Sequence, residues 1–175
     1  MIKIAINGYG RIGRNVLRAL YESGRDKNIK IVAINELAAP EAMVHLTRFD
    51  TSHGRFRYPV QLAGHSMLVG EDLISLFAEQ DPANLPWRAL GVDVVLDCTG
   101  VFGSRADAEL HLGAGAGKVL FSHPADADVD ATIVYGVNHQ VLTGRERIVS
   151  NASCTTNCVV PVIETLHREF EINCG

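Results

Sequence analysis

The feature that most constrains the fold is a glycine-rich turn at residues 8–13, with the sequence GYGRIG. It follows Lys3–Asn7, which is apolar at alternate positions, and it leads into Arg11–Ser23, where apolar residues recur at helical spacing. Glycines at these positions permit a tight turn and let the backbone approach a pyrophosphate, whose charge then faces the free N–H groups of the helix start. A strand, this turn and a helix, in that order, are typical of a dinucleotide-binding domain.

The first half of the chain continues to alternate strands with helices. A second buried strand is predicted over Lys30–Asn35, and a helix follows over residues 40–48. Parallel pairing is expected because a helix connects the two strands. Short segments at residues 57–62, 66–69 and 73–78 are predicted to form a small antiparallel insertion. The sequence therefore predicts an α/β fold of the Rossmann type, a doubly wound and mostly parallel sheet with a small antiparallel insertion.

The alternation resumes after the insertion. Strands are predicted over residues 92–97, 118–122, 132–135 and 147–149, and helices over 104–114 and about 155–170. Residues 1–150 are accordingly assigned to a dinucleotide-binding domain, and residues 151–175 to a cysteine-bearing helical segment that follows it.

An acidic residue closes the second predicted strand. Glu36 follows Gly13 by 23 residues, which is where a carboxylate accepts hydrogen bonds from the adenosine ribose in such folds. It also favours NAD over NADP, because a carboxylate repels a 2′-phosphate and the next basic residue is Arg48. The alternative is a carboxylate that only caps or solvates a loop. Thr99 follows another predicted strand and Ser122 ends a further one. Both are candidates for the nicotinamide side, or else ordinary polar turn residues.

One cysteine stands among polar, helix-capping residues at positions 150–158, with the sequence SNASCTTNC. An apolar helical segment follows, so Cys154 is predicted at a helix N-terminus, where unpaired N–H groups and the macrodipole stabilise a thiolate. Such a thiolate can attack a carbonyl carbon, while nearby N–H groups and hydroxyls stabilise the oxyanion that forms. The other cysteines, Cys98, Cys158 and Cys174, are interpreted as inert and buried.

Several classes of protein and site are disfavoured. A structural zinc site would need a second ligand pair beside Cys154 and Cys158, so no metal is predicted, and a disulfide between these two is disfavoured on one regular helix turn. A net charge of −4 without a run of Lys and Arg disfavours nucleic acid as a partner. No apolar stretch approaches the ~18 residues of a membrane span, and the N-terminus lacks the layout of a secretion signal. A cytoplasmic location is expected.

Four segments of the chain resemble, in the same order, the glyceraldehyde-3-phosphate dehydrogenase family. They are residues 7–14 (NGYGRIGR), 50–56 (DTSHGRF), 98–102 (CTGVF) and 150–158 (SNASCTTNC). The similarity extends along essentially the whole chain, and the segment around Cys154 is its most specific part. Within the family, the branch that oxidises D-erythrose 4-phosphate is the most similar. The segments that carry this finer resemblance are residues 20–25 (LYESGR), 35–37 (NEL) and 121–124 (FSHP).

The resemblance implies an NAD-dependent oxidation of a phosphorylated aldose through a Cys154 thioester. For the erythrose 4-phosphate branch the product is 4-phosphoerythronate, on the route to pyridoxal phosphate, and the complete protein is expected to be a homotetramer. The resemblance implies cofactor contacts from the turn residues Gly8, Gly10, Arg11, Ile12 and Gly13 and from Glu36, Thr99 and Ser122, and substrate or anion contacts from Ser153 and Thr155. Gln80 replaces an arginine that many relatives place against the cofactor. The loop at residues 50–56 stays unassigned among solvated, subunit-facing and catalytic roles.

The resemblance implies that residues 1–150 form an NAD-binding domain and that the helix in residues 151–175 starts a second, catalytic domain, most of which is expected to lie outside these 175 residues. It places the general base on a strand after the cysteine helix, beyond residue 175. His167 cannot replace it, since 13 residues separate it from Cys154, roughly 20 Å along a helix at about 1.5 Å per residue. We therefore expect the 175 residues alone to bind NAD weakly or not at all and to turn nothing over. The apolar face of Val159–Leu166 is expected to self-associate or to be disordered.

Three alternatives stay open. The first is the glycolytic substrate glyceraldehyde 3-phosphate, with phosphate rather than water as the thioester acceptor. The second is another cysteine-dependent semialdehyde dehydrogenase or acyl-phosphate reductase, which would favour NADP. The third is a non-enzymatic NAD-binding module, which would leave the helix-capped Cys154 without a purpose.

Overall fold

A computed structural model describes residues 1–24 and 27–174, so Arg25 of the segment at residues 20–25 lies outside it. Strands and helices are numbered in chain order. The strands are β1 (Ile2–Asn7), β2 (Ile29–Asn35), β3 (Phe49–Asp50), β4 (Gly54–Arg55), β5 (Val60–Ala63), β6 (Ser66–Val69), β7 (Asp72–Phe77), β8 (Val94–Asp97), β9 (Lys118–Phe121), β10 (Ala131–Thr132) and β11 (Ile148–Ser150). The helices are α1 (Arg11–Glu22), α2 (Pro40–Arg48), α3 (Trp87–Leu90), α4 (Arg105–Gly113) and α5 (Cys154–Phe170), with short 3₁₀ turns at Pro82–Asn84 and His139–Val141.

Nine of these strands form one sheet, in the order β10-β11-β9-β8-β1-β2-β7-β6-β5. The strands from β10 to β7 all pair in parallel, because helices or long loops connect them. Strands β5, β6 and β7 form an antiparallel meander, and β7 joins it to the main sheet beside β2. The predicted α/β, Rossmann-type fold with a small antiparallel insertion is confirmed. A separate hairpin of β3 and β4 occupies most of the loop that sequence analysis left unassigned.

Two apolar clusters cover the two faces of the sheet. Successive side chains of a strand point to opposite faces, and in β1 Ala5 enters one cluster while Ile6 enters the other. Leu17 of α1 packs with Ile6, whereas Trp87 and Phe121 pack with Ala5. The sheet is therefore buried on both sides, and its strand ends are the part left free to form a site.

The buried face of α1 differs from the one that helical spacing alone indicates. Ile12 begins the apolar stripe in the sequence but is 52% exposed, whereas Gly13, Leu17 and Tyr21 are buried. Gly13 must face the sheet because a Cβ there would lie 2.3 Å from the carbonyl oxygen of Gly8. Helical spacing then carries Leu17 and Tyr21 to the same side.

Helix α5 begins at Cys154 and none of its residues is buried. Its apolar side chains Val162 and Ile163 are 58% and 48% exposed. The self-association expected for this face stays a prediction. None of the helices in the described ranges has the length and apolar character needed to cross a membrane.

Candidate cofactor and cysteine site

A cleft of about 380 Å³ opens at the carboxyl ends of β1, β2 and β8. This edge is where open α/β sheets bind their ligands. The residues that line the cleft are Asn7, Gly8, Gly10, Asn35, Glu36, Leu37, Glu79, Gln80, Cys98, Thr99, Val101 and Phe102. Of the predicted cofactor residues, Gly8, Gly10, Glu36 and Thr99 thus face one space. A larger groove, lined mainly by arginines and aromatics of residues 48–61, lies apart from these strand ends.

The three glycines of the turn have three different roles. Gly8 has a φ of +86°, and a Cβ there would lie 2.7 Å from the backbone nitrogen of Thr99. Gly13 lets α1 approach β1, as described above. A Cβ on Gly10 would meet nothing within 4 Å. Glycine is therefore not needed here to avoid a clash, but the lack of a side chain leaves open space in the cleft. The turn therefore forms a cradle that a side chain would partly fill, as the backbone approach of a pyrophosphate requires.

The start of α1 suits an anion. Its first three N–H groups have no acceptor within the helix, Gly10 provides no side-chain cap, and the first turn contains no acidic residue. Arg11 is mostly exposed, with its Nη1 3.4 Å from Oδ2 of Asp50. Ile12 is half exposed beside it. The predicted pyrophosphate site thus has free donors and a cation at its edge.

Glu36 ties the glycine turn to the end of β2. Its Oε2 accepts a 2.7 Å hydrogen bond from the N–H of Tyr9, and its Oε1 accepts from the N–H groups of Leu37 and Ala38 at 2.8 and 3.2 Å. The carboxylate is therefore held in one orientation before any ligand binds. Its position at the cleft matches the place of a ribose-binding acid in this fold.

Beneath the cleft lies a hydrogen-bonded set of side chains, here called the polar network. It comprises the half-buried Thr99 and the buried residues Asn7, Asn35, Trp87, Asp97 and His111. Asn7 ends β1 and Asn35 ends β2, and the Asn35 amide donates to Oδ1 of Asn7 at 2.8 Å. The Asn7 amide donates in turn to Oδ2 of Asp97 at 2.8 Å. Trp87 Nε1 donates to Nδ1 of His111 at 3.0 Å, and His111 Nε2 lies 3.6 Å from Oδ2 of Asp97. The network joins the ends of three strands to α3 and α4.

Asp97 is the charged centre of the polar network and is fully buried. Burial alone would raise the pKa of Asp97, but hydrogen bonds from His111, Thr99 and Asn7 outweigh it, and the pKa lies below its ordinary value. The Thr99 hydroxyl donates to Oδ1 of Asp97 at 2.7 Å. Because that hydroxyl has only one proton, Thr99 can offer a ligand in the cleft only an acceptor.

Ser122 lies at the end of β9, next to Asp97 in the sheet, where its N–H donates to the Asp97 carbonyl at 2.9 Å. Its side chain hydrogen-bonds to Cys98, a half-buried residue of the cleft wall. Burial raises the pKa of the Cys98 thiol to about 11, although the bond to Ser122 opposes that rise. Cys98 therefore stays a thiol at neutral pH, as expected for an inert cysteine.

The cysteine segment continues from β11, beside the same edge of the sheet. The N–H of Asn151 donates to the carbonyl of Phe121 at 2.9 Å, which joins the segment to the end of β9. Ala152 follows with a φ of +56°, in the left-handed region, and is 5% exposed. This turn ends at Ser153, whose Oγ accepts a 2.9 Å bond from the N–H of Thr156 and so caps α5. Cys154 is the first residue of that helix and is exposed.

Hydroxyl and amide groups surround the start of α5. Ser153 Oγ lies 2.8 Å from Oγ1 of Thr155, so the two predicted substrate-binding hydroxyls are brought together beside Cys154. Asn157 reaches back and donates to the carbonyls of Asn151 and Ser153 at 2.7 and 2.9 Å. The helix start is therefore held by its own side chains.

The interpretation of Cys158 and Cys174 as buried is wrong, since both are exposed. Cys158 lies on α5, none of whose residues is buried, and Cys174 lies beyond the end of that helix. Sequence alone cannot show whether an apolar helix has a partner. All four cysteines are free. Within residues 1–24 and 27–174, no group of three or more His, Cys, Asp and Glu side chains could hold a metal ion.

Apart from Thr99, the residues of the polar network were not predicted from the sequence. Two signals could have indicated it. Both of the first two strands end in asparagine, at Asn7 and Asn35, and His111 stands three residues after the buried Ala108 on α4. A polar side chain at the inner end of a buried strand needs a buried partner.

The fold and the cleft together define a dinucleotide-binding domain of the doubly wound class. The family described as glyceraldehyde 3-phosphate dehydrogenase, NAD binding domain, matches residues 2–105 of the chain. The chain belongs to this family, and NAD is its cofactor. The matched residues run from β1 to the first residue of α4 and include the glycine turn, Glu36 and Thr99. The cysteine segment follows the matched region.

Proposed function

We propose that the chain is the cofactor-binding part, together with the nucleophile-bearing helix, of an NAD-dependent dehydrogenase that oxidises D-erythrose 4-phosphate to 4-phosphoerythronate. The observation that carries this proposal is the exposed thiol of Cys154 at the capped start of α5. That start follows a short turn from β11, which pairs with β9 in the sheet that forms the cleft. A non-enzymatic NAD-binding module would not require a thiol there.

The cofactor contacts proposed for this chain follow from the cleft. The free N–H groups at the start of α1, with Arg11 and Ile12 beside them, would hold the pyrophosphate, and Gly10 would leave room for it. Glu36 would accept hydrogen bonds from the adenosine ribose. Thr99 and Ser122 would line the nicotinamide side. When bound, NAD supplies a hydride acceptor.

The proposed chemistry begins at Cys154. Its thiolate adds to the aldehyde carbon and gives a hemithioacetal, whose oxyanion is stabilised by N–H groups at the start of α5 and by the hydroxyls of Ser153 and Thr155. The hydrogen on that carbon then leaves as a hydride, and a thioester to Cys154 remains. Water adds to the thioester carbonyl, the carbon–sulfur bond breaks, and the acid and the thiolate are released.

The choice of erythrose 4-phosphate over glyceraldehyde 3-phosphate is supported by sequence segments at the site. Glu36 belongs to one of them, and Ser122 and His123 belong to another. His123 contributes to the shape of this end of the cleft, because its Nε2 contacts the carbonyl of Phe102 at 2.5 Å and its own carbonyl accepts from Ser150 at 2.8 Å. Glyceraldehyde 3-phosphate stays the second candidate substrate within the same family.

Steady-state kinetics of the complete gene product would test this proposal. We expect kcat/KM for erythrose 4-phosphate to exceed that for glyceraldehyde 3-phosphate by at least about tenfold, a difference of roughly 1.4 kcal/mol in transition-state binding. Cys154→Ser should abolish turnover, whereas the matched control Cys158→Ser should retain it. The reverse substrate preference would favour the glycolytic alternative, a preference for NADP would favour a semialdehyde dehydrogenase, and an active Cys154→Ser variant would exclude the thioester route.

The domain division, assembly and location are part of the same proposal. A boundary at residue 150 is supported by the end of β11 at Ser150 and by the absence of buried residues on α5. We propose a cytoplasmic homotetramer for the complete protein, without nucleic acid or membrane partners. Light scattering coupled to size-exclusion chromatography would test the tetramer directly.

A further inference from the structure

The proton of His111 can be located from the contacts of its ring. Trp87 Nε1 is a donor only, and it lies 3.0 Å from Nδ1 of His111, so Nδ1 must be the unprotonated acceptor. Nε2 then carries the proton and points toward Oδ2 of Asp97, 3.6 Å away. The Asn7 amide nitrogen lies 3.4 Å from Nε2 and could donate to it only if Nε2 carried no proton. The ring proton would then be on Nδ1, where it would face the N–H of the Trp87 indole. The neutral Nε2–H tautomer is the one arrangement that these contacts allow.

The same set of contacts reaches the floor of the cleft. Asp97 receives donors from four positions: the Asn7 amide and His111 Nε2 on Oδ2, and the N–H and hydroxyl of Thr99 on Oδ1. Thr99 follows β8 directly and lines the cleft. Its Oγ1 also accepts from the N–H of Val101 at 3.2 Å, which leaves one lone pair free. The orientation of that lone pair depends on the Asp97 carboxylate, to which the Thr99 hydroxyl donates. His111 contacts the other oxygen of this carboxylate and so helps to fix its orientation.

We propose that His111 is a positioning residue for the NAD cleft, fixed as the Nε2–H tautomer by Trp87, so that Asp97 presents the Thr99 hydroxyl to the cleft as a hydrogen-bond acceptor. The cofactor group that would use this acceptor is a donor, either a ribose hydroxyl or the carboxamide N–H of the nicotinamide. His111 and Trp87 are 1% and 0% exposed, and neither lines the cleft. Their effect on binding must therefore pass through Asp97. This inference rests on the proposed occupation of the cleft by NAD.

Two matched variants separate positioning from simple packing. His111→Gln keeps a donor and an acceptor at the end of a side chain of similar reach, whereas His111→Leu fills the space but leaves Asp97 and Trp87 without a partner. His65→Leu, at an exposed position between β5 and β6, is the control for a His-to-Leu change outside the network. Trp87→Phe removes only the indole donor from the set.

The first measurement needs no ligand. Nitrogen-15 NMR of histidine-labelled protein should show His111 with its proton on Nε2, and Trp87→Phe should allow the Nδ1–H form to appear. Amide hydrogen exchange at Thr99 should accelerate by about tenfold in His111→Leu and by less than about threefold in His111→Gln, while amides of β1 and β2 stay protected. A proton on Nδ1 in the parent protein, or unchanged exchange at Thr99 in His111→Leu, would overturn the proposal.

The second measurement is an NAD titration of the same variants made in the complete gene product, which is the form expected to bind NAD, followed by NMR shifts at Thr99. We expect the Kd to rise about tenfold in His111→Leu and less than about threefold in His111→Gln and His65→Leu. Equal losses in the Leu and Gln variants would show that His111 only packs, and would overturn the proposal. If the parent protein gave no shift at Thr99 with NAD, the proposed use of the cleft would fail, whereas the tautomer and exchange results would still decide whether His111 positions Thr99.

Discussion

The cofactor cleft and the cysteine helix are held in place in opposite ways. Below the cleft, Asn7, Asp97 and His111 are 2%, 0% and 1% exposed, and each has hydrogen-bond partners on other elements. On α5 no residue is buried, and the groups that hold its first turn, Ser153 and Asn157, bond within the segment itself. The cleft is organised by the core of the domain, whereas the helix depends on its cap and on the strand before it.

This contrast separates the effects expected from substitution. A change at a closely packed position of the cleft should alter stability and NAD affinity together, because the same backbone serves both. A change on α5 should alter reactivity while the free energy of unfolding stays nearly constant, since little surface is buried there. Each of the following experiments could break this distinction or make it sharper.

The largest effect is expected at the closest backbone contact of the cleft. Gly13→Ala would place a Cβ 2.3 Å from the Gly8 carbonyl oxygen and 3.0 Å from Cγ2 of Ile6. Since the first of these atoms is backbone, α1 must shift away from β1, and we expect a loss of about 3 kcal/mol in the free energy of unfolding. Urea denaturation followed by circular dichroism would measure it.

Gly10→Ala is the matched control for that change. Its Cβ would meet nothing within 4 Å and its φ of −69° is open to alanine, so the free energy of unfolding should change by less than about 1 kcal/mol. NAD affinity should nevertheless fall, because the methyl group projects into the cradle. Equal destabilisation by the two variants would show that the two glycines do not have separate roles.

The second largest effect is expected in the alkylation rates of two cysteines, one in the cleft wall and one at the start of α5. Cys98 in the cleft wall has a pKa raised to about 11 by burial, whereas Cys154 is exposed at a helix start. Near neutral pH the Cys98 thiolate fraction should be lower than that of an ordinary thiol by at least about 100-fold. Iodoacetamide labelling read by peptide mass spectrometry should therefore modify Cys154 at least ~100-fold faster than Cys98. Comparable rates would mean that the cleft wall opens readily.

Cys158 refines the same experiment, because it is exposed on the same helix but lies four residues after its start. If the N–H groups at the helix start activate a thiolate, Cys154 should react faster than Cys158 as well. Equal rates for these two cysteines would leave exposure as the sole difference from Cys98. They would also remove the support that the helix start gives to Cys154 as a nucleophile.

Local sequence patterns were sufficient for most of the fold. The glycine turn, the β-branched segments of β1, β2 and β8, and the capped start of α5 each determine their own structure within a few residues. The face of α1 could not be predicted in the same way, because Ile12 and Leu17 lie on two different apolar stripes. The close approach of Gly13 to Gly8 determines which of the two stripes is buried, and this approach exists only after the turn has folded.

The same distinction, between local patterns and contacts that form only on folding, applies to the candidate site. Glu36 and Cys154 could be found because each follows a local pattern, a strand end in one case and a helix cap in the other. The contacts of His111 could not be predicted in this way, since Trp87 lies 24 residues before it and Asp97 is reached only through packing of α4 on the sheet. The exposure of Cys158 could not be predicted from the sequence either, because it depends on whether another element packs on α5.

An intermediate effect is expected at the turn before α5, where the backbone itself is strained. Ala152 has a φ of +56° and is 5% exposed, so a β-branched side chain would be strained there and would also crowd its surroundings. Ala152→Val should lower the free energy of unfolding by about 2 kcal/mol. Ala152→Gly should change it by less than about 1 kcal/mol, because relief of strain offsets the loss of a buried methyl group. Thermal unfolding of the three proteins would compare them, and tolerance of valine would show that the cysteine turn is not constrained.

The smallest effect is expected at the sheet edge that leads to the cysteine segment. Asp130 accepts from Arg105 Nη2 at 2.5 Å and from the N–H groups of Arg147 and Ile148 at 2.7 and 3.0 Å, so it holds the start of β11. The bond from Arg105 is the main cause that lowers the pKa of Asp130 to about 2 from its usual 3.8. Its side chain is 29% exposed, so we expect Asp130→Asn to cost less than about 1 kcal/mol near neutral pH.

The sign of the pH dependence follows from the lowered pKa of Asp130. The pKa of Asp130 is about 2 in the folded protein and 3.8 is its ordinary value, which applies to the unfolded chain. The carboxylate therefore stabilises the fold fully above about pH 4 and loses that contribution as the pH falls through about 2. The difference in unfolding free energy between the parent protein and Asp130→Asn should therefore shrink as urea titrations move from about pH 7 to about pH 3. A difference that grew at low pH would reverse the assigned role of Asp130. If Asp130→Asn lowered the free energy of unfolding by well over about 1 kcal/mol near neutral pH, the strands before the cysteine segment would be held as firmly as the cleft. The contrast between the cleft and the cysteine segment would then apply to α5 alone.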